Sequence, residues 1–163
     1  GSSSPEGINS SLKRSTMLFI AVTLHNIPEG MAVGLTFGMA SDTIATTIAS
    51  ALALGIGIGL QNIPEGAAIS LPLKEEGFSS KKAFLYGTLS GVVEPISGIL
   101  GVFLIGSLIS VMPWLLSFAA GAMIYVVAEE LIPEANKTEH SNLGTIGVMI
   151  GFVIMMTLDI ALA

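Results

Sequence analysis

Twice in 163 residues, a polar phrase built on proline and glutamate interrupts a long apolar run: His25-Asn26-Ile27-Pro28-Glu29-Gly30 and Gln61-Asn62-Ile63-Pro64-Glu65-Gly66. The runs are each about long enough for the roughly 20 residues with which a helix crosses a bilayer core. A carboxylate inside such a run must face a bundle interior or an aqueous path and find a partner there. Unpaired backbone is costly in lipid, so the segments must be helical. Composition agrees, with 52% hydrophobic and 11% charged residues and a mean hydropathy of +0.81, against about 25% charged residues in soluble domains. The reading is an all-α, polytopic membrane helical bundle. The formal charge of -6 says little about partners, because several acids lie within the apolar runs.

Apolar segments fall near 15–40, 43–73, 81–109, 113–132 and 143–162, which predicts five transmembrane helices across residues 15–163. Connections then lie around 40–42 and 107–112. Residues 1–14 are polar and Gly/Ser/Pro-rich, lack the order of a signal peptide, and read as a cytoplasmic loop, a linker or a cut end. Close spacing of small residues, as in Gly55, Gly57 and Gly59 or Gly98 and Gly101, allows helix backbones to approach. All six basic residues, Lys13, Arg14, Lys74, Lys81, Lys82 and Lys137, fall on one side of this arrangement. By the positive-inside rule the N-terminus is cytoplasmic and the C-terminus external. The expected location is the cell membrane. Six basic residues flanking membrane segments form no groove-sized patch, so nucleic-acid binding is excluded.

On a helix His25 and Glu29 are four apart, as are Gln61 and Glu65, so each pair shares a face with its neighbouring Asn26 or Asn62. Pro28 and Pro64 each remove a helix hydrogen bond and leave the carbonyls of Leu24 and Leu60 free. Counting about 1.5 Å per residue from the cytoplasmic ends puts Glu29 roughly 21 Å deep, Glu65 roughly 12 Å and Glu94, in Val93-Glu94-Pro95, roughly 20 Å. The phrases overlap in depth, and a third carboxylate joins them. Three acids at one level repel unless protonated or neutralised by a cation.

Imidazole, carboxylate and amide groups together suit a borderline divalent ion such as zinc. With no cysteine in the chain, the site has no thiolate to make it tight and inert, which suits an ion that must be released. A single phrase is equally consistent with a kinked helix whose glutamate is protonated, and Glu94 alone with a structural or proton-carrying role. The methionines read as packing residues. Glu129 and Glu130 at the end of the fourth segment read either as a headgroup-level acidic helix end or as a cytoplasmic exit path shared with Glu139 and His140. Asp159 reads as a solvated terminus or an external cation attractor.

These phrases resemble the signature helices of the ZIP (Zrt/Irt-like) divalent metal transporters, most of all the GufA-like bacterial branch. Val93-Glu94-Pro95 and Glu129-Glu130-Leu131-Ile132-Pro133-Glu134 are similar to family phrases on the two following helices, and the resemblance extends from Leu12 onward. It implies an eight-helix fold of which these five are the fourth to the eighth, the first three being cut away or supplied by a partner chain. It also implies a binuclear metal centre. His25, Glu29, Gln61 and Glu65 would hold one ion; Asn26, Asn62 and Glu94 would hold the other, with Glu29 and Glu65 bridging. Gln61 and Asn62 are the less basic and less charged of the family's options at their positions. The implied function is import of divalent metal ions toward the cytoplasm, zinc first, then cadmium, iron or manganese. The metal is cargo rather than a cofactor, and the chain is not an enzyme. Membrane lipid and a second copy in a homodimer are the expected partners.

Two other classes compete. His25-x-x-x-Glu29 has metalloprotease-like spacing, but there is no second histidine four residues on and no spare glutamate beside the first ligand to act as base. A proton- or cation-conducting relay through Glu29, Glu65 and Glu94 would need no bound metal.

Overall fold

The computed structural model describes residues 14–40, 48–136 and 142–162. Lys13, Lys137, Glu139 and His140 lie outside the described residues, as do the loop at 1–13 and the side chains of Arg14, Glu130 and Asp159. Six helices follow one another: α1 (Arg14–Met39), α2 (Ile48–Glu75), α3 (Ser80–Phe103), α4 (Ile105–Val126), the short α5 (Ile132–Ala135) and α6 (Leu143–Leu162). A π-helical turn, Val127–Leu131, joins α4 to α5. The chain is a helical membrane bundle. Ser15–Met39, Ser80–Phe103 and Ile105–Glu129 are long and apolar enough to cross a membrane, while Leu143–Thr157 is a shorter apolar stretch. Helix α2, at 28 residues, also has the length to cross.

The distribution of side chains is that of a membrane helical bundle. Polar residues are inside: Asn26 is fully buried, and His25, Glu65, Ser90, Glu94 and Ser97 are nearly so. Large apolar residues are outside, with Phe103 80% and Trp114 78% exposed. Such an inverted surface would be intolerable in water.

Local signals explain the turns. Helix α2 ends at Gly77, whose φ of 95° is open to glycine at no steric cost. The amide of Gly77 donates to Lys74 (3.0 Å) and that of Phe78 to Leu73 (3.1 Å), the paired bonds of a Schellman cap. Phe78 then packs on the core formed by Leu18, Val22, Ile69, Leu73, Ala83 and Val126. Its ring also meets Tyr86 edge-on at 6.0 Å. Ser79 caps α3 by accepting from the Lys82 amide.

The junction of the third and fourth segments differs from the sequence reading, which placed it at 107–112. The chain breaks at Leu104 (φ -105°, ψ 17°), and residues 107–112 are helical. Pro113, where the sequence pattern starts the fourth helix, is the ninth residue of the 22-residue α4. The proline leaves the Ile109 carbonyl without its helix bond, and one turn on the Ser117 hydroxyl back-bonds to the Pro113 carbonyl at 2.7 Å.

Helices α1 and α3 run parallel and touch backbone to backbone. Asn26 meets Ser90, and a Cβ placed on Gly34 would lie 2.7 Å from the Gly98 carbonyl carbon. Helix α4 runs antiparallel to α1, with Ala119 beside His25 and Ile105 beside Gly38. Helix α2 runs antiparallel to α3, with Ser70 bonded to the Ala83 carbonyl. Gly101 is a close contact, since an added Cβ would lie 2.7 Å from the Met31 carbonyl oxygen. Gly55 and Gly59 are not. A Cβ on Gly59 would meet nothing within 4 Å, and one on Gly55 only ordinary contacts from 3.6 Å, because this face of α2 lines a cavity instead of a helix.

Candidate metal centre

The first phrase lies on α1 and the second on the antiparallel α2, so their polar faces meet side by side. His25 Nε2 is 3.2 Å from Glu29 Oε1 and 3.9 Å from Glu65 Oε1. Gln61 links the acids: its amide nitrogen donates to Glu29 Oε1 at 3.1 Å and to Glu65 Oε1 at 2.9 Å. One ligand atom from each of His25, Glu29 and Glu65 lies within 4.8 Å of the others. That is the spacing of groups around a cation, and among the described residues no Lys or Arg neutralises them there. His25 Nε2 and Glu65 Oε2 are buried without a hydrogen-bond partner.

The remaining predicted ligands form an adjoining cluster. Asn62 Nδ2 donates to Glu94 Oε2 at 2.5 Å, and Asn26 Nδ2 donates to the Ser90 carbonyl at 3.1 Å. Asn26 Oδ1 and Glu94 Oε1 are left buried and unpartnered. Glu94 stands outside the 4.8 Å group. Buried acceptors without donors are few in native proteins and require an explanation. Four such atoms lie here, two in each cluster, and a bound cation would give them a partner.

Glu94 also floors a cavity of about 370 Å³ between α1, α2 and α3, walled by Val33, Phe37, Ile58 and Val102. Glu129 is exposed on the π-helical turn. It is ten residues along from Ala119, the α4 residue level with His25, or roughly 15 Å at the helical rise, and so stands apart from both clusters.

Sequence reasoning missed the backbone partners. His25 Nδ1 lies 3.0 Å from the Ala119 carbonyl oxygen on α4, and Ser90 receives Asn26 through its carbonyl. That a ligating histidine needs a partner for its second nitrogen is a general rule, but no sequence pattern marks which carbonyl will serve.

A model of the ZIP zinc transporter family matches residues 2–159. The chain belongs to the ZIP family. Zinc transporter ZIP11 of Homo sapiens is 49% identical over 153 residues, which cover 94% of this chain and 45% of the human protein. Zinc transporter GufA of Myxococcus xanthus is 39% identical over 158 residues, 96% of this chain and 60% of its own length. Zinc transporter ZIPB of Bordetella bronchiseptica is 36% identical over 151 residues, 93% and 47% respectively. This ZIP chain thus spans about half the length of the curated relatives it matches, and a GufA protein is among them, as the resemblance of the two phrases implied.

Proposed function

We propose that this chain forms the metal-carrying part of a transporter that moves divalent ions, zinc foremost, across a membrane toward the cytoplasm. One observation carries the reading: an imidazole and two carboxylates from two helices converge within 4.8 Å inside a helical membrane bundle. The relatives' names as zinc transporters point to the same ion, and cadmium, iron or manganese would fit the donor set less closely.

The first ion is assigned to His25, Glu29, Gln61 and Glu65, with Gln61 turning its amide oxygen inward once the ion arrives. The second is assigned to Asn26, Asn62 and Glu94, with Glu29 and Glu65 bridging; the unpartnered Asn26 Oδ1 and Glu94 Oε1 support it. Mid-membrane ligands on proline-broken helices are where transporters keep their sites. We further assign α1–α4 and α6 to the fourth to eighth helices of the family fold, with the start of α1 cytoplasmic and Glu129 and Glu130 on the exit side. Lipid or further helices would cover the exposed apolar faces, a second copy among them.

The test is zinc uptake by liposomes holding the full-length transporter, with anomalous diffraction at the zinc edge. Uptake lost in Glu65→Ala, with a peak between Glu29 and Glu65, is the expected result. No flux of zinc, cadmium or iron, together with an inert Glu65→Ala, would sink the proposal.

A further inference from the structure

Helix α4 supplies no side chain to the clusters, yet it reaches the centre through its backbone. The Ala119 carbonyl oxygen lies 3.0 Å from His25 Nδ1, both groups are buried, and the residues are 94 apart in sequence. We infer that Ala119 is a positioning residue: its carbonyl holds His25 in the one tautomer that can bind metal through Nε2. The inference rests on the reading of His25 as a ligand.

A carbonyl oxygen can only accept, so the nitrogen facing it must carry the proton. In a neutral imidazole that leaves Nε2 as a bare lone pair. Nε2 is the nitrogen turned toward Glu29 Oε1 and Glu65 Oε1, at 3.2 and 3.9 Å. It has no hydrogen-bond partner of its own. The opposite tautomer would place a proton on Nε2, which would donate to Glu29 at 3.2 Å and close the site with a bond that an arriving ion must break. With the proton on Nδ1, Nε2 is the nitrogen turned to the two carboxylates, where a metal ion would lie. The ring is therefore already aimed at the ion's place.

The contact depends on close approach. Ala119 is 2% exposed and its methyl faces the packed side of α4, so a larger side chain there must lift the carbonyl away from α1. The carbonyl has a second lone pair for its ordinary helix bond, and α4 gives up nothing to make this one. A displacement of α4 against α1 would release the imidazole and loosen the hold on the ion. Grip and helix position are coupled through one hydrogen bond.

The experiment uses the full-length transporter in lipid. Nitrogen-15 spectra of labelled histidine in the zinc-loaded protein, with the His25 signal identified by its loss in His25→Gln, should show a protonated Nδ1 and a zinc-bound Nε2. Zinc found on Nδ1, or an Nδ1 without its proton, overturns the inference. Replacing the Ala119–Ala120 amide by an ester weakens that carbonyl without touching a side chain. Zinc binding should weaken about 10- to 100-fold, as in Ala119→Leu, whereas Ala119→Gly and an ester one bond further on should bind as the parent does. In a His25→Ala background the ester should cause no further loss. If the ester leaves zinc affinity unchanged while His25→Ala lowers it, the positioning role fails and the metal centre stands. If His25→Ala binds zinc as the parent does, both fail.

Discussion

Asn62 Nδ2 lies 2.5 Å from Glu94 Oε2, so the amide of the second phrase neutralises part of a carboxylate on the next helix and ties α2 to α3. Exchanging that donor for an acid should therefore separate the stability of the metal-free protein from that of the loaded one. Asn62→Asp sets two carboxylates against each other and leaves Glu94 without its donor. Without metal the variant should melt lower than the parent. Zinc should raise its melting temperature by more than it raises the parent's, as measured by thermal unfolding with chelator and with excess zinc.

Gln61 performs the equivalent task for Glu29 and Glu65. Gln61→Ala removes a donor shared by two half-buried carboxylate oxygens, and leaving buried acceptors unpaired costs about 1 to 3 kcal/mol, so partial burial sets the loss at the lower end. The metal-free protein should lose stability in that range in reversible unfolding, and saturating zinc should recover most of it.

Metal binding itself should stabilise the fold. A ligand held only by the native state contributes about 2.7 kcal/mol at a hundred times its dissociation constant. Zinc titration should raise the melting temperature of the parent progressively, and Glu65→Ala, which leaves His25 and Glu29 with one partner fewer, should flatten that rise. An equal rise in both would contradict the ligand set.

Two glycines that look alike in the sequence should behave oppositely. At Gly34 a Cβ would lie 2.7 Å from the Gly98 carbonyl carbon, and backbone cannot yield as a side chain can. Gly34→Val should cost at least the roughly 1 to 3 kcal/mol typical of overpacking and weaken zinc binding by parting α1 from α3. Gly59→Ala meets nothing within 4 Å and should be neutral, or stabilise by about 0.4 to 1 kcal/mol through reduced chain entropy. Parallel unfolding and zinc-affinity measurements on the two variants decide it.

What could be read from the sequence follows from repeating geometry. The four-residue spacing of His25 and Glu29, and of Gln61 and Glu65, fixed each shared face. Counting the helical rise brought Glu94 to the same level, and the bond from Asn62 to Glu94 lies where that counting puts it. What could not be read depends on how each helix is rotated about its axis. Gly55 and Gly59 resemble Gly34 and Gly98 in composition, but only the latter pair lies against the backbone of another helix. Pro113 carries a start signal, yet the helix runs through it, and Leu104, where the chain does break, is not a turn residue. The Ala119 carbonyl is invisible to sequence because every residue has one.

The backbone contact of α1 with α3 has a further effect on how the centre tolerates change. His25 and Glu29 on one helix and Glu94 on the other are spaced by main-chain atoms in contact at Gly34 and Gly98, with no intervening layer of side chains to set the distance. Substitutions on the outer, lipid-facing surface can therefore accumulate as membranes of different thickness or composition demand, while the calibration of the inner groups stays insulated from them.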